Sequence, residues 1–227
     1  MTAQIAPASG HVLGLDASPS FISTAQKKHA SPKCEFRLHD CTQLGKCAEA
    51  VDGSWDKVFS NAALHWILRN PATRMDVLRD SYAALKQGGR FVFEMGGKGN
   101  IAEIHAAVIA ALVAHRVPLA EAREACPWFF PSDVWMRQAL AEVGFEVEKC
   151  ELEYRPTKCT PKGEDGSGGL EGWIRLMCAQ MLEAVEESER DSVVKHVVDT
   201  LETVDTREED RSVWIGYVRL RAVAIKR

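Results

Sequence analysis

No apolar run in the sequence is long enough to span a bilayer. Runs such as Ala106 to Ala114 end well short of the roughly 20 residues a membrane helix needs. A basic excess is also missing: Lys plus Arg total 28 against 32 for Asp plus Glu, a net charge of −4, so no surface dedicated to nucleic acid or anionic membrane is expected. The first ten residues, MTAQIAPASG, have neither a basic start nor a continuous apolar block and do not read as a secretory signal. Cys34, His39, Cys41 and Cys47 are ligand-type side chains, but their spacing matches no paired C-x-x-C or Cys/His pattern, so no metal is expected. No G-x-S-x-G elbow or H-E-x-x-H motif is present, which disfavours a hydrolase. The seven cysteines are an odd, scattered count, read as reduced thiols in a cytoplasmic protein.

What is there is ordinary for a soluble globular chain: 46% hydrophobic and 26% charged residues. A length of 227 residues suits a single domain, 1–227, with helical cap segments at about 101–135 and 160–205. Strand-like and helix-like segments alternate through the first two thirds, which predicts an α/β class with parallel strands and helical crossovers. Strands are expected over 11–15, 35–38, 56–60 and 90–95. Ser18 and Pro19 supply an N-cap and first-turn proline for a helix with Phe21, Ile22 and Ala25 on one face. Helices are expected from Met75 to the stop at Gly88-Gly89, over 101–113, and from a Ser132 cap through Leu140. Phe145 to Tyr154 alternates as a strand, and Lys162 to Gly169 reads as a linker. Leu170, Trp173, Ile174, Met177, Met181 and Val185 form the stripe of one long helix, followed by acidic turns and a closing strand over 213–225.

Ligands of open α/β sheets bind at the carboxyl ends of the strands, where Asp16, Asp40, Asn61 and Glu94 fall. Asp16 reads equally well as a ribose-binding acid, accepting two adjacent O–H groups, or as the cap of a turn. Gly97-Lys98-Gly99-Asn100-Ile101-Ala102 matches G-x-G-x-x-A between a strand and a helix, and keeps an NAD(P)-dependent oxidoreductase open as a weaker alternative. His65 beside Trp66 is a candidate base or a structural histidine. The rings of Cys126-Pro127-Trp128-Phe129-Phe130-Pro131 read as a pocket wall or as core.

Four ordered blocks carry a resemblance: VLGLDASPSFI (12 to 22), HDC (39 to 41), DKVFSNAALHWI (56 to 67) and LKQGGRFVFEMGGKGN (85 to 100). Together they resemble the class I S-adenosylmethionine-dependent methyltransferases, in the branch that includes trans-aconitate methyltransferase. The likeness continues weakly through PWFFPS, GFEVEKCELEYRPT and GLEGWIRLM. It implies a Rossmann-like sheet flanked by helices, with S-adenosyl-L-methionine as cofactor and S-adenosyl-L-homocysteine as product. It further implies that Asp16 binds the cofactor ribose, that Asp40 with Cys41 holds the adenine side, and that Asn61, Ala62 and His65 border the methionine part and methyl group. The family pattern also has a strand and a D-x-G-C-G-x-G turn ahead of these blocks. Here Met1 to Ala6 looks like the helix that follows them, so the domain is expected to be N-terminally truncated, and the sheet to lose two strand pairings. An incomplete reading of a longer protein, a strand supplied by a partner, or a degenerate paralogue would each account for this.

The implied reaction is methyl transfer to a carboxylate or hydroxyl oxygen of a small-molecule acceptor, with a small organic acid favoured. Trp66, Trp128 and Phe129 are expected to shape the acceptor pocket, and Arg155 and Arg175 to meet a carboxylate through bidentate guanidinium geometry. The alternative is a catalytically inactive, methyltransferase-like binding partner.

Overall fold

In a computed structural model, residues 10–163 and 168–227 are described. The expected helix at Met1 to Ala6 and part of the 162–169 linker lie outside them. The chain divides into two compact units. The first runs to Phe93 and adds Met136–Lys149 and Ala222–Arg227, while the second comprises Glu94–Trp135 and Cys150–Arg221.

The first unit opens with β1 (Val12–Asp16), α1 (Pro19–His29) and β2 (Cys34–Leu38). Ser18 Oγ accepts the Phe21 N–H, Pro19 starts the helix, and Lys27, Lys28 and His29 sit at its negative end. β1 and β2 pair in parallel, from Val12 opposite Cys34 to Asp16 opposite Leu38. Ile22, Cys34 and Phe36 are buried between them with Val12 and Ala25 alongside. Phe21, expected on that face, is instead 68% exposed, because a single helix over two strands covers only the Ile22 stripe.

β3 (Trp55–Asn61) is followed by α2 (Leu64–Ile67) and α3 (Arg74–Ala84). The helix ends at Ala84, not at Gly88-Gly89, and β4 (Leu85–Gly96) already contains both glycines. Lys226 explains the early stop: its Nζ donates to the carbonyls of Tyr82 (3.0 Å) and Leu85 (2.7 Å), satisfying the helix end, and lies over the Tyr82 ring. α6 (Asp133–Val143), capped by Ser132 Oγ on the Trp135 N–H, and β5 (Phe145–Tyr154) follow the expected spans. Phe145 meets Tyr82 edge-on at 4.9 Å. β8 (Val218–Lys226) completes a sheet of order β3-β4-β8-β5. Among the described residues β1 pairs only with β2, and β3 only with β4, so each has one edge without a strand partner.

The second unit is mostly helical. α4 (Ala102–Ala114) buries Ile104, Val108 and Leu112, and α5 (Leu119–Glu124) packs beside it. The expected long helix is broken at Cys178 into α7 (Gly169–Met177) and α8 (Ala179–Leu182), although Leu170, Ile174 and Met181 keep their buried stripe. The acidic turns near Glu186 to Asp191 are in fact the first turns of α9 (Glu187–Asp205), where carboxylates suit the positive helix end. Its Val193, Val194, Val197 and Leu201 pack towards α4. Instead of one closing strand, β6 (Thr157–Lys158) pairs antiparallel with β7 (Trp214–Ile215), and Gly216 and Tyr217 separate β7 from β8. None of the seven cysteines is in a disulfide. No described helix is long and apolar enough to cross a membrane.

Candidate functional site

In the first unit the chemistry collects where β1 and β2 end. Asp16 stands opposite Leu38, and its carbonyl accepts the His39 N–H at 3.0 Å, so the turns leaving both strands begin side by side. Asp16 Oδ1 accepts the Ser18 N–H at 2.8 Å. Asp40 Oδ1 accepts the N–H and hydroxyl of Thr42 and caps the short 3-10 helix Cys41–Lys46. Both side chains are thus oriented through one oxygen, and among the described residues neither Oδ2 is hydrogen-bonded. Cys41 lies against them. Burial first, then the charges of Asp40, Asp16 and Cys47, push its thiol up to about 11, so it faces the two acids as a neutral group.

The 3-10 helix is held from behind by Asp80 of α3, whose Oδ2 accepts the Gly45 N–H at 2.8 Å. A Cβ at Gly45 would stand 2.9 Å from that carboxylate, so a side chain there would have to displace Asp80. Asp80 carries no sequence mark that reading the chain could have used, because its role depends on a partner far along the chain.

After β3, Asn61 and Ala62 are exposed, and Ala62 adopts φ +54°. A non-glycine residue in that region is strained, and such strain gathers at functional turns. His65, on α2, is 5% exposed with its ring 5.6 Å from that of Trp66, which is itself 37% exposed.

The other expected residues belong to the second unit. Trp128 is buried in the helical core, stacked on Phe130 and edge-on to His105, while Phe129 meets Trp135 edge-on at 4.9 Å. Arg175 is engaged on the surface, donating to Glu171 (2.9 and 3.2 Å) and to Asp191 (2.8 Å). Arg155 is exposed, and its backbone N–H donates to the Tyr217 carbonyl at 2.7 Å.

The G-x-G-x-x-A turn does not fit a dinucleotide. Its backbone amides are taken by the protein itself: Gly97 N–H by Val218, Lys98 N–H by Pro131 and Ile101 N–H by Gly216 carbonyls, at 2.7–3.0 Å. Asn100 Oδ1 and Glu103 Oε1 return the bonds by accepting the Val218 and Gly216 N–H groups. A Cβ on Gly96 would stand 2.4 Å from Phe130, and one on Gly97 would stand 2.3 Å from Leu152, so the glycines admit side chains and not a pyrophosphate. Among the described residues no group of three or more His, Cys, Asp or Glu could hold a metal ion.

A methyltransferase-domain family model matches residues 1–93. Over 219 residues the chain is 32% identical to an uncharacterized methyltransferase of Schizosaccharomyces pombe, covering 95% of this chain and 78% of that one. Among solved structures it is similar to a candidate methyltransferase of Bacillus halodurans (TM-score 0.61, 16% identity, 99% and 86% of the two chains). It is also similar to an S-adenosylmethionine-dependent methyltransferase of Anabaena variabilis (TM-score 0.54, 14% identity, 100% and 72%). The α/β architecture is therefore the Rossmann-like methyltransferase fold, and with its relationship to the fission-yeast protein the chain belongs to the class I S-adenosylmethionine-dependent methyltransferases.

Proposed function

We propose that the protein transfers a methyl group from S-adenosylmethionine to an oxygen of a small acid, as in the trans-aconitate methyltransferase-like branch. The supporting observation is the pair of strand-end acids, Asp16 and Asp40, each fixed through Oδ1 with Oδ2 unbonded. That donor-free, acceptor-rich edge fits a nucleoside. Asp16 accepts the ribose hydroxyls, Asp40 accepts the adenine amino group, and the protonated Cys41 thiol forms an uncharged wall beside them.

When bound, the cofactor supplies an electrophilic methyl on a sulfonium sulfur. The protein's work is then largely positioning, which can supply about 7–11 kcal/mol of the barrier. Asn61, strained Ala62 and the half-exposed Trp66 border the methyl in this reading. A carboxylate acceptor attacks as the anion and needs no base. A hydroxyl acceptor gives up its proton to His65. Of the two candidate arginines, Arg175 already has two carboxylate partners, which leaves Arg155 as the one open to an acid.

Calorimetric titration with S-adenosylhomocysteine tests this reading. Binding is expected, with Asp16→Ala weakening it at least about tenfold, the scale of a lost hydrogen bond to a charged group. No heat of binding with the unmutated protein would leave the inactive, partner-binding alternative standing.

A further inference from the structure

The sequence marks Arg155 and Arg175 as candidate anion contacts, but the structure brings forward a different arginine. Arg219 lies near the start of β8 with its side chain 20% exposed. Its guanidinium carbon stands 4.3 Å above the ring of Tyr217. The nearest acid is Glu94, whose Oε1 is 3.9 Å from Arg219 Nε, too far for a hydrogen bond. Glu94 is in any case taken, since its Oε2 accepts from Arg221 Nε at 2.6 Å, and Arg221 is paired with Glu153 as well. Among the described residues no acceptor lies within hydrogen-bond reach of the guanidinium of Arg219 or of Arg155.

This is an expensive arrangement. A guanidinium withdrawn from water without a hydrogen-bonded acceptor costs free energy; the Tyr217 ring and Glu94 offset part of that cost, while Arg155 and Arg221 add like charge beside it. The frame around it is nonetheless well fixed. Trp173 Nε1 donates to Tyr217 Oη at 2.7 Å, and the Tyr217 carbonyl holds the Arg155 backbone. Burial raises the Tyr217 pKa, so the phenol keeps its proton. Its O–H donor has no acceptor among the described residues. The Arg219 guanidinium thus lies over the residue that carries this hydroxyl, with the Arg155 backbone bonded to it, and the nearby carboxylate, Glu94, is hydrogen-bonded to Arg221 instead.

We propose that Arg219 and Arg155, organised by Tyr217, form a carboxylate-binding site. Planar guanidinium donors suit a carboxylate bidentately, and the tyrosine hydroxyl adds a third donor. On the reading in the preceding subsection, from which only the ligand's chemical class is taken, the carboxylate is one carried by the acid substrate. Arg219 is then the main specificity determinant for the acid, and Trp173 a positioning residue.

Calorimetry with sodium malonate and, separately, sodium phosphate tests the site directly. Malonate is expected to bind the unmutated protein, at least about tenfold more weakly to Arg219→Gln, by a smaller factor more weakly to Arg155→Gln, and equally to the surface control Arg123→Gln. Arg219→Lys should recover only part of the loss, since an ammonium lacks the planar fork. Absence of malonate binding, or equal affinity in Arg219→Gln, overturns the site. Phosphate binding as tightly as malonate overturns its carboxylate character. If Arg219→Gln does not fold, the Arg155→Gln ratio decides. Titrating the same samples with S-adenosylhomocysteine separates the two proposals: cofactor heat without malonate heat removes this site alone, and the reverse removes only the methyltransferase reading.

Discussion

Among the described residues around β1, α1 and β2 the buried apolar side chains are Ile22, Cys34 and Phe36, and large hydrophobics nearby remain open to water, Phe21 at 68% and Leu38 at 56% exposure. In the second unit, α4, α7, α8 and α9 enclose Ile104, Val108, Leu112, Ile174, Met181 and Val197 completely. Parallel strands are ordinarily covered on both faces, and β1 is half-buried along most of its length. The sparsely packed segment carries Asp16 and ends beside Asp40, the two acids proposed to meet the cofactor, whereas the dense helical region frames the arginines and aromatic rings. Apolar burial of about 25 cal/mol per Å² holds the second region together on its own, while the first has little of it. A segment of that kind gains order from whatever binds its polar edge.

The largest test of that contrast is cavity creation. Ile174→Ala should cost about 3–5 kcal/mol in chemical denaturation, because its fully enclosed site cannot collapse, and Ile22→Ala about 1–2 kcal/mol, because an open neighbourhood relaxes. Equal costs would break the comparison. Next, amides of β1, α1 and β2 should exchange with deuterium far faster than those of α4 and α9. S-adenosylhomocysteine at about one hundred times its Kd should slow them by up to about 2.7 kcal/mol of protection. Protection appearing in the helical region alone would detach cofactor binding from the weak segment.

The dense region has one weak point of its own. Asp205, at the end of α9, is 5% exposed and its Oδ2 has no hydrogen-bond partner. Burial first, then the charge of Glu103, raises its pKa from 3.8 to about 7. The folded protein therefore holds a proton that the unfolded chain has lost between about pH 4 and pH 7. Stability falls as pH rises through that window and is level above it. Asp205→Asn should stabilise the protein by about 2 kcal/mol at pH 8 and by almost nothing at pH 4, read from denaturation at the two pH values. A pH-independent effect would place the cause in packing.

What could be read from the chain follows the range of the interactions involved. Phe145 to Tyr154 was legible to the residue because alternation is local, and Ser18-Pro19 because a cap lies within one turn of what it caps. The end of α3 was not, since the Lys226 amine that satisfies it comes from the other end of the sequence. α9 was hidden by an acidic first turn, ESERD, that reads as loop, although Val193, Val194, Val197 and Leu201 hold a helical stripe. For the site, Asp16 and Asp40 stand out as strand-end acids. Arg219 does not: a strand arginine among strand arginines is distinguished only by which neighbour took Glu94.

That distinction supplies the smallest test. Arg175 and Arg219 belong to the same unit, and in the sequence Arg175 is the more conspicuous, one turn after Leu170 and Gly172 on an amphipathic helix. Its guanidinium joins Glu171 of its own helix to Asp191 of α9 across the surface. Exposed ion pairs contribute little, because water and salt screen them and two long side chains must be ordered to make them. Arg175→Ala should therefore lower stability by only about 0.5–1 kcal/mol, and the difference should shrink in 1 M salt. In steady-state kinetics the acid's KM should move far less than in Arg219→Gln. A KM rise in Arg175→Ala equal to that in Arg219→Gln would mean that Glu171 and Asp191 release the guanidinium to the acceptor, and an ion pair read as structural would then be a resting state of the binding group.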